Sequence, residues 1–328
     1  MRCPTLAELP TPPQGKTGWP WTVETPPSPT VSIRDLSLKI TIVTPSFNQG
    51  KFLEETIRSI LLQGYDNLEY MVLDGGSTDE SVEIINKYAS FLTLWRSEQD
   101  RGQSSAINDG LHRGTGEIFN WINSDDVLQP GALQSVAAVF GGFDVVAGGV
   151  THFRDDGFSV YARNAGLTAL QMITETEGYV FQQPGVFFSR EKALAVGALD
   201  DTSRYIFDWE FMIRYLIRFP KVKYIDQDLA HFRLHDKSKT VGEADTFNDD
   251  LPAVLAYFAA NGFSQEFRQA ADLRRRKVLW ADTLRHARSK SGSRLARAIS
   301  IGTQMLADPS ARVSRFTFGA LRRILARQ

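Results

Sequence analysis

Between residues 39 and 129, short apolar runs alternate with helical patterns, and most of the runs end in a polar turn. Four runs have the length and composition of buried strands: Ile40–Val43, Leu68–Leu73, Leu92–Trp95 and Ile118–Ile122. Apolar residues at helical spacing between them predict helices that begin near Gly50, within residues 77–80 and at Ala106. This alternation predicts an open α/β sheet with a ligand crevice along the carboxyl edge of its strands.

The two ends of the chain follow different patterns. Residues 1–37 contain eight prolines and few apolar runs, which predicts an extended arm. Trp19 and Trp21 favour docking of this arm on the central domain, residues 38–240, because large aromatic side chains seek burial; stacking on a ligand is the alternative. Residues 241–328 carry apolar residues at helical spacing and predict a helical C-terminal extension.

The last predicted helix is amphipathic. Its apolar side consists of Val313, Phe316, Leu321, Ile324 and Leu325. Its opposite side carries Arg312, Arg315, Arg322, Arg323 and Arg327. Such a helix favours binding to an anionic membrane surface. The alternative is that the apolar side packs on the rest of the protein and the arginines face water.

The composition allows a sizeable core, since 42% of the 328 residues are hydrophobic, and predicts one large domain with appendages, or two domains. The single cysteine, Cys3, excludes an intramolecular disulfide. The most apolar window, residues 132–150, is interrupted by polar residues and glycines and predicts a helix, a turn and a strand rather than a membrane span. Pro4, Glu8 and Pro10 stand where a signal peptide is apolar. We therefore expect a cytoplasmic protein.

The net charge of −1 conceals an asymmetry along the chain. Residues 265–328 contain 15 Lys and Arg against 4 Asp and Glu, whereas the rest of the chain contains 22 against 34. The basic tail suits the inner face of the plasma membrane, where anionic lipids attract basic segments. Nucleic acid is not an expected partner, because aromatic residues are not interleaved with the basic ones.

Polar motifs follow the predicted strands: Thr44–Gln49 (TPSFNQ), Asp74–Asp79 (DGGSTD), Ser97–Gln103 (SEQDRGQ), Asn108–Gly110 (NDG), Asn123–Asp126 (NSDD) and, further on, Phe207–Glu210 (FDWE). In this order and spacing they resemble the family-2 glycosyltransferases, over residues 38–235. The resemblance implies the GT-A fold, which is a Rossmann-like, mostly parallel open sheet with helices on both faces. It also implies a nucleoside-diphosphate sugar as donor.

The end of the fourth strand is the predicted site of a divalent cation, Mn²⁺ or Mg²⁺. Asp125 is the first candidate ligand and Asp126 the second, because carboxylates at a strand end can hold a hard cation against phosphate oxygens. Asn123 stands where many relatives carry the first Asp of an Asp-x-Asp signature. The resemblance adds His235 as a ligand of the metal or of a phosphate. The alternatives are that the two aspartates cap the following helix, that Asn123 is structural and that His235 is a core histidine.

A second group of candidates alternates along one predicted strand. His231, Arg233 and His235 are spaced so that they share one face of it. By resemblance, Arg233 approaches the donor's diphosphate. His235, rather than His231, is expected to reach the metal or phosphate.

The resemblance places donor contacts at all the strand ends: Pro45, Phe47, Asn48, Asp74, Arg101, Gln103, Asn123, Ser124, Asp125 and Arg233. Relatives that read uracil often carry a second acidic residue after Asp74, where this chain has Gly75, so the nucleoside stays open. Asp74 and Asp79 are alternatively residues that organise a turn and a helix start. Phe47 is alternatively a packing residue, and Arg101 a solvated one.

An inverting transferase needs a carboxylate that takes the proton from the attacking hydroxyl, and by resemblance Asp208 fills that place. Phe207 replaces the Glu that relatives usually carry before this Asp. The expected acceptor contacts are Gln182, Gln183, Trp209 and Glu210. The alternatives are a helix cap for Asp208, a supporting role for Glu210 and a turn-stabilising role for the two glutamines.

These residues together predict a metal-dependent inverting glycosyltransferase that acts on a glycan or lipid-linked saccharide, of the type that builds bacterial polysaccharides and the cell envelope. The alternative is a non-catalytic nucleotide-binding module, or one that docks on a membrane or partner, with the GT-A fold retained. Asp125, Asp126 and Asp208 favour the enzyme, because a binding module needs no base carboxylate.

Overall fold

The computed structural model describes residues 3–26, 38–175, 181–203, 205–236, 238, 247–261, 264–289 and 293–326. Two compact units are present: Met1–Met172 with Glu177–Gly242, and Ile173–Thr176 with Glu243–Gln328. Both predicted boundaries, at 37/38 and 240/241, fall in or beside segments outside the described residues. The division into an arm, a central domain and a tail therefore stays a prediction.

Within the described residues, the first unit contains one sheet of nine strands. They are β1 (Ile40–Ser46), β2 (Leu68–Asp74), β3 (Leu94–Ser97), β4 (Ile118–Trp121), β5 (Val127–Leu128), β6 (Val145–Phe153), β7 (Ser159–Ala162), β8 (Val186–Ser189) and β9 (Val222–Arg233). The order is β3-β2-β1-β4-β8-β6-β9-β5, with β7 paired to β6. All four strands predicted from the apolar runs are present, although β3 begins at Leu94 rather than Leu92.

The direction of the strands determines where the polar turns lie. β1 pairs in parallel with β2 and β4, and β2 pairs in parallel with β3. β8 is antiparallel to its neighbours β4 and β6, whereas β6 and β9 are parallel. The carboxyl ends of β1 to β4 therefore meet at one edge of the sheet.

The helices of the first unit are α1 (Gly50–Leu61), α2 (Ser81–Tyr88), α3 (Gln103–Arg113), α4 (Ala132–Phe140), α5 (Ala169–Thr174), α6 (Arg190–Ala195) and α7 (Phe207–Arg218), where α5 reaches into the second unit. α1 begins at Gly50, as the sequence predicts, and α3 begins at Gln103 rather than Ala106. Residues 132–150 form α4 and the first part of β6, which confirms a helix, a turn and a strand.

Helices cover both faces of the parallel part of the sheet. Leu53 and Ile57 of α1 belong to the core cluster that contains Ile42 of β1. The next residue of that strand, Val43, points to the opposite face, where a Cβ on Gly110 of α3 would lie 2.3 Å from Val43 Cγ2. Only glycine permits so close an approach of α3 to β1.

The N-terminal arm is part of the first unit's core over residues 3–26. Cys3 and Leu9 are buried in the main cluster, and Trp19 Nε1–H donates to the carbonyl of Leu128 at 2.9 Å. The buried Arg58 of α1 donates to three arm carbonyls, those of residues 10, 20 and 21. Residues 27–37 of the predicted arm lie outside the described residues.

The second unit is helical. Its helices are α8 (Phe247–Ala260), α9 (Gln265–Ser289), α10 (Arg294–Ala307), α11 (Pro309–Arg312) and α12 (Arg315–Leu325). A small core joins α9, α10 and α12 through Trp280, Ile301 and Ile324, and Trp280 Nε1–H donates to Thr317 Oγ1 at 2.9 Å. Within the part of the chain that the structure describes, no helix is long and apolar enough to cross a membrane.

The predicted apolar side of the last helix is wrong in part. Val313 precedes α12, and Phe316 and Leu325 are 48% and 53% exposed. α12 instead packs through the buried Ala320 and Ile324, with Leu321 half-buried beside them. The spacing of large apolar residues does not identify this side of α12, because a small residue, Ala320, makes part of the contact with the other helices. Arg327 of the predicted basic side lies outside the described residues.

Candidate active site

The carboxyl ends of the parallel strands bring the predicted motifs to one edge of the sheet. Ser46, Asp74 and Ser97 are level with one another across β1, β2 and β3. β4 runs parallel to β1 and ends at Trp121. The polar motifs that follow these four strands therefore begin side by side.

The two aspartates after β4 lie in different environments. Asp126 is buried and accepts hydrogen bonds from the backbone N–H of Arg233 and from Asn123 Nδ2, both at 3.1 Å. Burial raises the pKa of Asp126 well above its ordinary value, and the charge of Asp125 raises it further. α4 begins after Gly131 without a side-chain cap, so the helix-capping alternative for both aspartates is wrong. Metal binding by Asp126 stays a prediction. It is not favoured by the hydrogen bonds that hold this carboxylate inside the fold.

Asp125 makes its contact with His235, whose Nε2 lies 3.0 Å from Asp125 Oδ2. The prediction that His235 shares a strand face with His231 and Arg233 is wrong, because β9 ends at Arg233. The chain beyond the strand carries the imidazole to Asp125, against the ring of Phe52 at 4.7 Å between centroids. His231 is instead paired with a nearby aspartate of its own strand.

The Asp125–His235 pair fits a divalent cation. Asp125 Oδ2 and His235 Nε2 are hydrogen-bonded at 3.0 Å, and a carboxylate oxygen and an imidazole nitrogen are ligand types that would both hold a divalent cation. Among the described residues, no group of three or more His, Cys, Asp and Glu could hold a metal ion. The protein would therefore supply two ligands, and donor phosphates and water would supply the others.

Arg233 is buried and contacts the backbone of Asp125. Its Nη1 and Nη2 donate to Asp155 at 2.6 Å and to Glu55 at 2.9 Å, and two phenylalanine rings lie 4.5 and 4.9 Å from the guanidinium. Its Nε–H donates to the backbone carbonyl of Asp125 at 3.1 Å. Arg233 therefore fixes the turn that carries the metal candidates, while its predicted contact with the donor's phosphates stays a prediction.

Asp74 organises the turn after β2. Its two carboxylate oxygens accept from the backbone N–H groups of Gly76 and Ser77 and from the hydroxyls of Ser77 and Ser97, at 2.5 to 3.1 Å. Asp79 accepts from the N–H of Ser81 at 3.0 Å and from that of the first residue of α1 at 2.9 Å. These are the structural roles that the sequence left open for both aspartates, and a nucleoside contact by Asp74 stays a prediction.

The turn after β1 exposes an aromatic ring. Pro45 is buried within the strand, but Phe47 is 59% exposed, so the packing alternative for Phe47 is wrong. Asn48 adopts a positive φ of 51°, and its Oδ1 accepts from the N–H of Thr78 at 2.9 Å. The ring is thus held on a fixed turn beside the β2 turn.

The start of α7 presents one accessible carboxylate and one engaged carboxylate. Asp208 and Trp209 are half-buried, and the N–H of Trp209 donates to Asp208 Oδ1 at 2.7 Å. Glu210 is buried and forms a two-point ion pair with Arg214 at 2.5 and 2.8 Å. The N-cap residue of α7 is Ile206, which makes no side-chain cap. Asp208 lies in the first turn and accepts a backbone N–H there, so its helix-stabilising alternative stays open. The ring centroid of Phe207 lies 6.5 Å from that of Trp121, the last residue of β4. This contact brings the neighbouring Asp208 to the edge of the sheet where the parallel strands end.

Residues 41–197 match the family model described as "Glycosyl transferase family 2". Over these 157 of its 328 residues, the chain is a family-2 glycosyltransferase. An uncharacterized glycosyltransferase of Nostoc sp. is 26% identical over 223 residues, which cover 63% of this transferase and 68% of that protein. Glycosyltransferase GlyG of Streptococcus pneumoniae serotype 4 is 32% identical over 104 residues, which cover 31% of this chain and 35% of that protein.

Two solved structures share the architecture of the transferase. S. aureus TarS 1–349 superposes with a TM-score of 0.58 at 15% identity, over 88% of this chain and 82% of that chain. Mannosyltransferase PcManGT from Pyrobaculum calidifontis, in complex with GDP-Man and Mn²⁺, superposes with a TM-score of 0.56 at 17% identity, over 90% of each chain. At such low identity the similarity shows the fold, and it confirms the predicted GT-A class.

Two predicted donor residues near the start of α3, Arg101 and Gln103, lie in different environments. Gln103, the first residue of α3, donates from its Nε2 to Asn123 Oδ1 at 2.7 Å, which ties the start of this helix to the turn after β4. Ser124 is buried in the same turn. Arg101 has a 76% exposed side chain and forms an ion pair with Asp201 at 2.6 Å. Donor contacts by these residues stay predictions.

The two predicted acceptor glutamines of the transferase are buried and engaged. Gln182 Oε1 lies 2.6 Å from His152 Nε2, and Gln183 Nε2 donates to Asn120 Oδ1 at 2.9 Å and to the carbonyl of Trp121 at 3.0 Å. These contacts match the structural alternative that the sequence left open, and acceptor binding stays a prediction. Residues 176–180, just before these glutamines, lie outside the described residues.

Sequence reasoning missed the residues that support the transferase's site from elsewhere in the fold. Glu55 and Asp155 hold Arg233, and Asp201 pairs with Arg101. None of them lies in a motif, and their partners are 78 to 178 residues away in the chain. No local signal in the sequence marks such residues, because the contacts arise only from tertiary packing.

Proposed function

We propose that this transferase is an inverting enzyme that moves a sugar from a nucleoside-diphosphate donor to a glycan or lipid-linked saccharide acceptor, with a divalent cation and with Asp208 as general base. The observation that carries the proposal is the pair Asp125–His235, 3.0 Å apart, at the edge to which α7 also brings Asp208. One end of the site thus has ligands for a cation, and the other has a carboxylate base.

The donor class is supported by chemistry and by relatives of known structure. A departing nucleoside diphosphate accumulates negative charge, and a cation held by Asp125 and His235 would supply the counter-charge. The structures of S. aureus TarS with UDP-GlcNAc and of PcManGT with GDP-Man and Mn²⁺ contain donors of this class. Phe47, exposed beside the β2 turn, offers a surface on which the nucleobase stacks.

Asp208 is the carboxylate best suited to take a proton from the acceptor hydroxyl. It is half-buried, and its Oδ1 is oriented by the N–H of Trp209. Glu210 cannot serve equally, because Arg214 holds both of its oxygens. The proton of the attacking hydroxyl therefore passes to Asp208 as the bond to the sugar forms.

We also propose that the protein is cytoplasmic and lies on the inner face of the plasma membrane. Leu295, Ile299 and Leu306 of α10 are 64%, 58% and 73% exposed, and at about 100° per residue they fall within about 40° of one another on the helix. This stripe lies in a region with 15 basic and 4 acidic residues, where Arg322 and Arg323 are exposed on the neighbouring α12. Apolar and cationic groups together suit an anionic leaflet, where a lipid-linked acceptor resides.

The decisive experiment is a panel of nucleoside-diphosphate sugars, assayed for donor hydrolysis and transfer with Mn²⁺, with Mg²⁺ and with excess chelator. We expect activity with one nucleotide class, lost in chelator and abolished in Asp125→Ala. Asp156→Ala, an exposed aspartate in the turn between β6 and β7, is the matched control and should retain activity. Full transfer in chelator would overturn the metal-dependent proposal.

A further inference from the structure

An aromatic side chain lies across the face of the sheet where β6 pairs with β7. Tyr161 of β7 is level with Thr151 of β6. A Cβ on Gly149, two residues before Thr151, would lie 2.1 Å from Tyr161 Oη and 2.3 Å from its Cε2, so the end of the ring lies directly over this glycine. Tyr161 is 44% exposed, which leaves the outer face of its ring open to a ligand.

The strand on the other side of β6 brings polar groups to the same face. His231 of β9 is also level with Thr151, so Tyr161, Thr151 and His231 form one row across three strands. Asp228 Oδ2 accepts from Thr151 Oγ1 at 2.5 Å and lies 3.1 Å from His231 Nε2. Because a carboxylate only accepts, Asp228 keeps the proton of the neutral imidazole on Nε2 and leaves Nδ1 as a hydrogen-bond acceptor.

This row lies on the face of the sheet that α7 covers. Val145 of β6 is level with Phe188 of β8, whose ring centroid lies 5.3 Å from that of Phe211 in α7. Side chains alternate along a strand, so Val145 and Thr151, six residues apart, point to the same side. Asp208, the proposed base, stands at the start of α7. The row therefore lies on the side of the sheet that carries the base.

The row also lies close to the proposed cation site. The ring centroid of Phe153 lies 5.6 Å from that of His231 and 4.5 Å from the guanidinium carbon of Arg233. Arg233 in turn donates to the backbone carbonyl of Asp125. Tyr161 is two strands across and two residues along from Arg233, a distance of about 12 Å between backbones. This distance is longer than one sugar ring, so a sugar on Tyr161 is not the one that reacts beside the cation.

We propose that this face binds the acceptor as an oligosaccharide of at least two sugar units, with one unit stacked on Tyr161 and hydrogen-bonded to His231. The inference rests on the proposed function, because it gives the acceptor of that reaction a contact beyond the sugar that receives the new unit. It also separates the acceptor from a single sugar or a lipid carrier that bears one sugar.

The chemistry of the row suits a saccharide. A pyranose ring has an apolar C–H face, which stacks on an aromatic ring, and a rim of hydroxyls. One such hydroxyl can donate to His231 Nδ1, which Asp228 keeps free of a proton. The negative charge of Asp228 makes the same face unsuited to an anionic lipid surface.

The test is binding of the fluorescently labelled full chain to a printed array of bacterial glycans of different lengths, followed by calorimetry with the glycan that binds most tightly. The wild type should bind oligosaccharides and leave single sugars unbound. Tyr161→Ala should weaken binding about tenfold, because stacking is lost, whereas Tyr161→Phe keeps the ring and should stay within about threefold. His231→Ala, a second variant on another strand, should weaken binding about fivefold.

Val160→Ala is the matched control, because Val160 is 50% exposed on the same strand but points to the opposite face, and it should bind as the wild type does. Equal affinity for single sugars and oligosaccharides, or wild-type binding by Tyr161→Ala and His231→Ala, would overturn this inference alone. Hydrolysis of a nucleoside-diphosphate sugar needs no acceptor saccharide. A chain that hydrolyses a donor but binds no glycan would therefore also overturn this inference alone, and a chain with neither property would overturn the proposed function as well.

Discussion

At the scale of single residues, burial separates the carboxylates of the site into two kinds. Asp126 and Glu210 are buried, and hydrogen bonds from Asn123, Arg233 and Arg214 hold them inside the fold. Asp125 and Asp208 are only half-buried. A carboxylate that binds a ligand or exchanges a proton must reach it, so the two half-buried residues are the ones to which chemistry is assigned.

The proposed role of Asp208 as base predicts a selective kinetic defect. Asp208→Asn keeps the shape of the side chain and its contact with the N–H of Trp209 but cannot take a proton. We expect kcat to fall about 10²-fold or more while the donor KM stays close to that of the wild type. Steady-state kinetics at saturating metal measure this. A collapse of donor affinity with unchanged kcat would assign Asp208 to binding instead.

The contacts of Arg233 predict that Glu55 strengthens the proposed binding of a divalent cation, because Glu55 holds Arg233 in place. Glu55→Gln removes the charge that holds Arg233 Nη2, and Arg233 in turn holds the backbone of Asp125. Residues that orient metal ligands typically change affinity about 10- to 100-fold. We expect the Mn²⁺ concentration for half-maximal activity to rise about tenfold, with kcat recovered at saturating Mn²⁺.

A neighbouring residue of α1 offers a matched control for this experiment. Glu54 carries the same charge but pairs with Lys87 at 2.6 Å and with the hydroxyl of Tyr88 at 2.7 Å. Glu54→Gln should leave the Mn²⁺ requirement unchanged. A kcat loss in Glu55→Gln that excess Mn²⁺ does not restore would show that Glu55 acts in another way.

At the scale of elements, the N-terminal arm and α1 depend on one another. Arg58 has no exposed surface, and its guanidinium donates to carbonyls of the arm and to Tyr88 Oη at 3.0 Å. Without the arm, this buried cation would lose most of its partners, which is costly. The prolines of the arm, which form few backbone hydrogen bonds of their own, leave carbonyls available for this purpose.

Labelling of Cys3 reports on this contact, because Cys3 belongs to the arm and its thiol is buried when the arm is docked. Burial raises the pKa of Cys3 to about 11, so at pH 8 the native thiol is both inaccessible and protonated. Arg58→Met should destabilise the docked arm by about 2 kcal/mol or more and accelerate labelling by a thiol reagent roughly 30-fold. Arg113→Met, an arginine with a 54% exposed side chain, is the control. Equal labelling rates in the two variants would mean that the arm is held by other contacts.

At the scale of the whole molecule, charge is distributed unevenly. The 64 residues from 265 onward hold 15 of the 37 basic residues and only 4 of the 38 acidic ones. Part of this charge is used internally, since Arg276 pairs with Asp308 at 2.7 Å and Arg274 Nη1 donates to the carbonyl of Ile173 at 3.0 Å. The exposed arginines of α12, Arg322 and Arg323, are accessible to an anionic partner.

Sedimentation with vesicles that contain phosphatidylglycerol tests the membrane proposal. The full chain should pellet with them at low salt and dissociate as ionic strength approaches about 0.5 M, because salt screens exposed charge. Leu295→Ser with Ile299→Ser and Leu306→Ser should remain largely in the supernatant. The matched control is Val160→Ser, which changes a 50% exposed residue of β7. Equal sedimentation of both variants would exclude the α10 stripe as the membrane contact.

The sequence alone determined the elements and the edge at which the chemistry lies. Apolar runs and helical spacing are local properties, so the strands, α1, α4 and the polar motifs at the strand ends were predictable from them. The family resemblance supplied the fold class, and the family match confirms it. The approximate place of Asp125 and Asp208 follows from their position after β4 and at the start of α7.

Only the tertiary structure decided which of these polar residues are accessible. Gln182, Gln183 and Asp74 look like ligand contacts in the sequence, but each is engaged by neighbours that packing brings to it. Packing of α12 likewise leaves the side chain of Phe316 exposed, although the sequence predicts it on the apolar side. Burial depends on contacts between distant parts of the chain, such as that of Glu55 with Arg233. The pattern of residue types along one segment cannot predict such contacts.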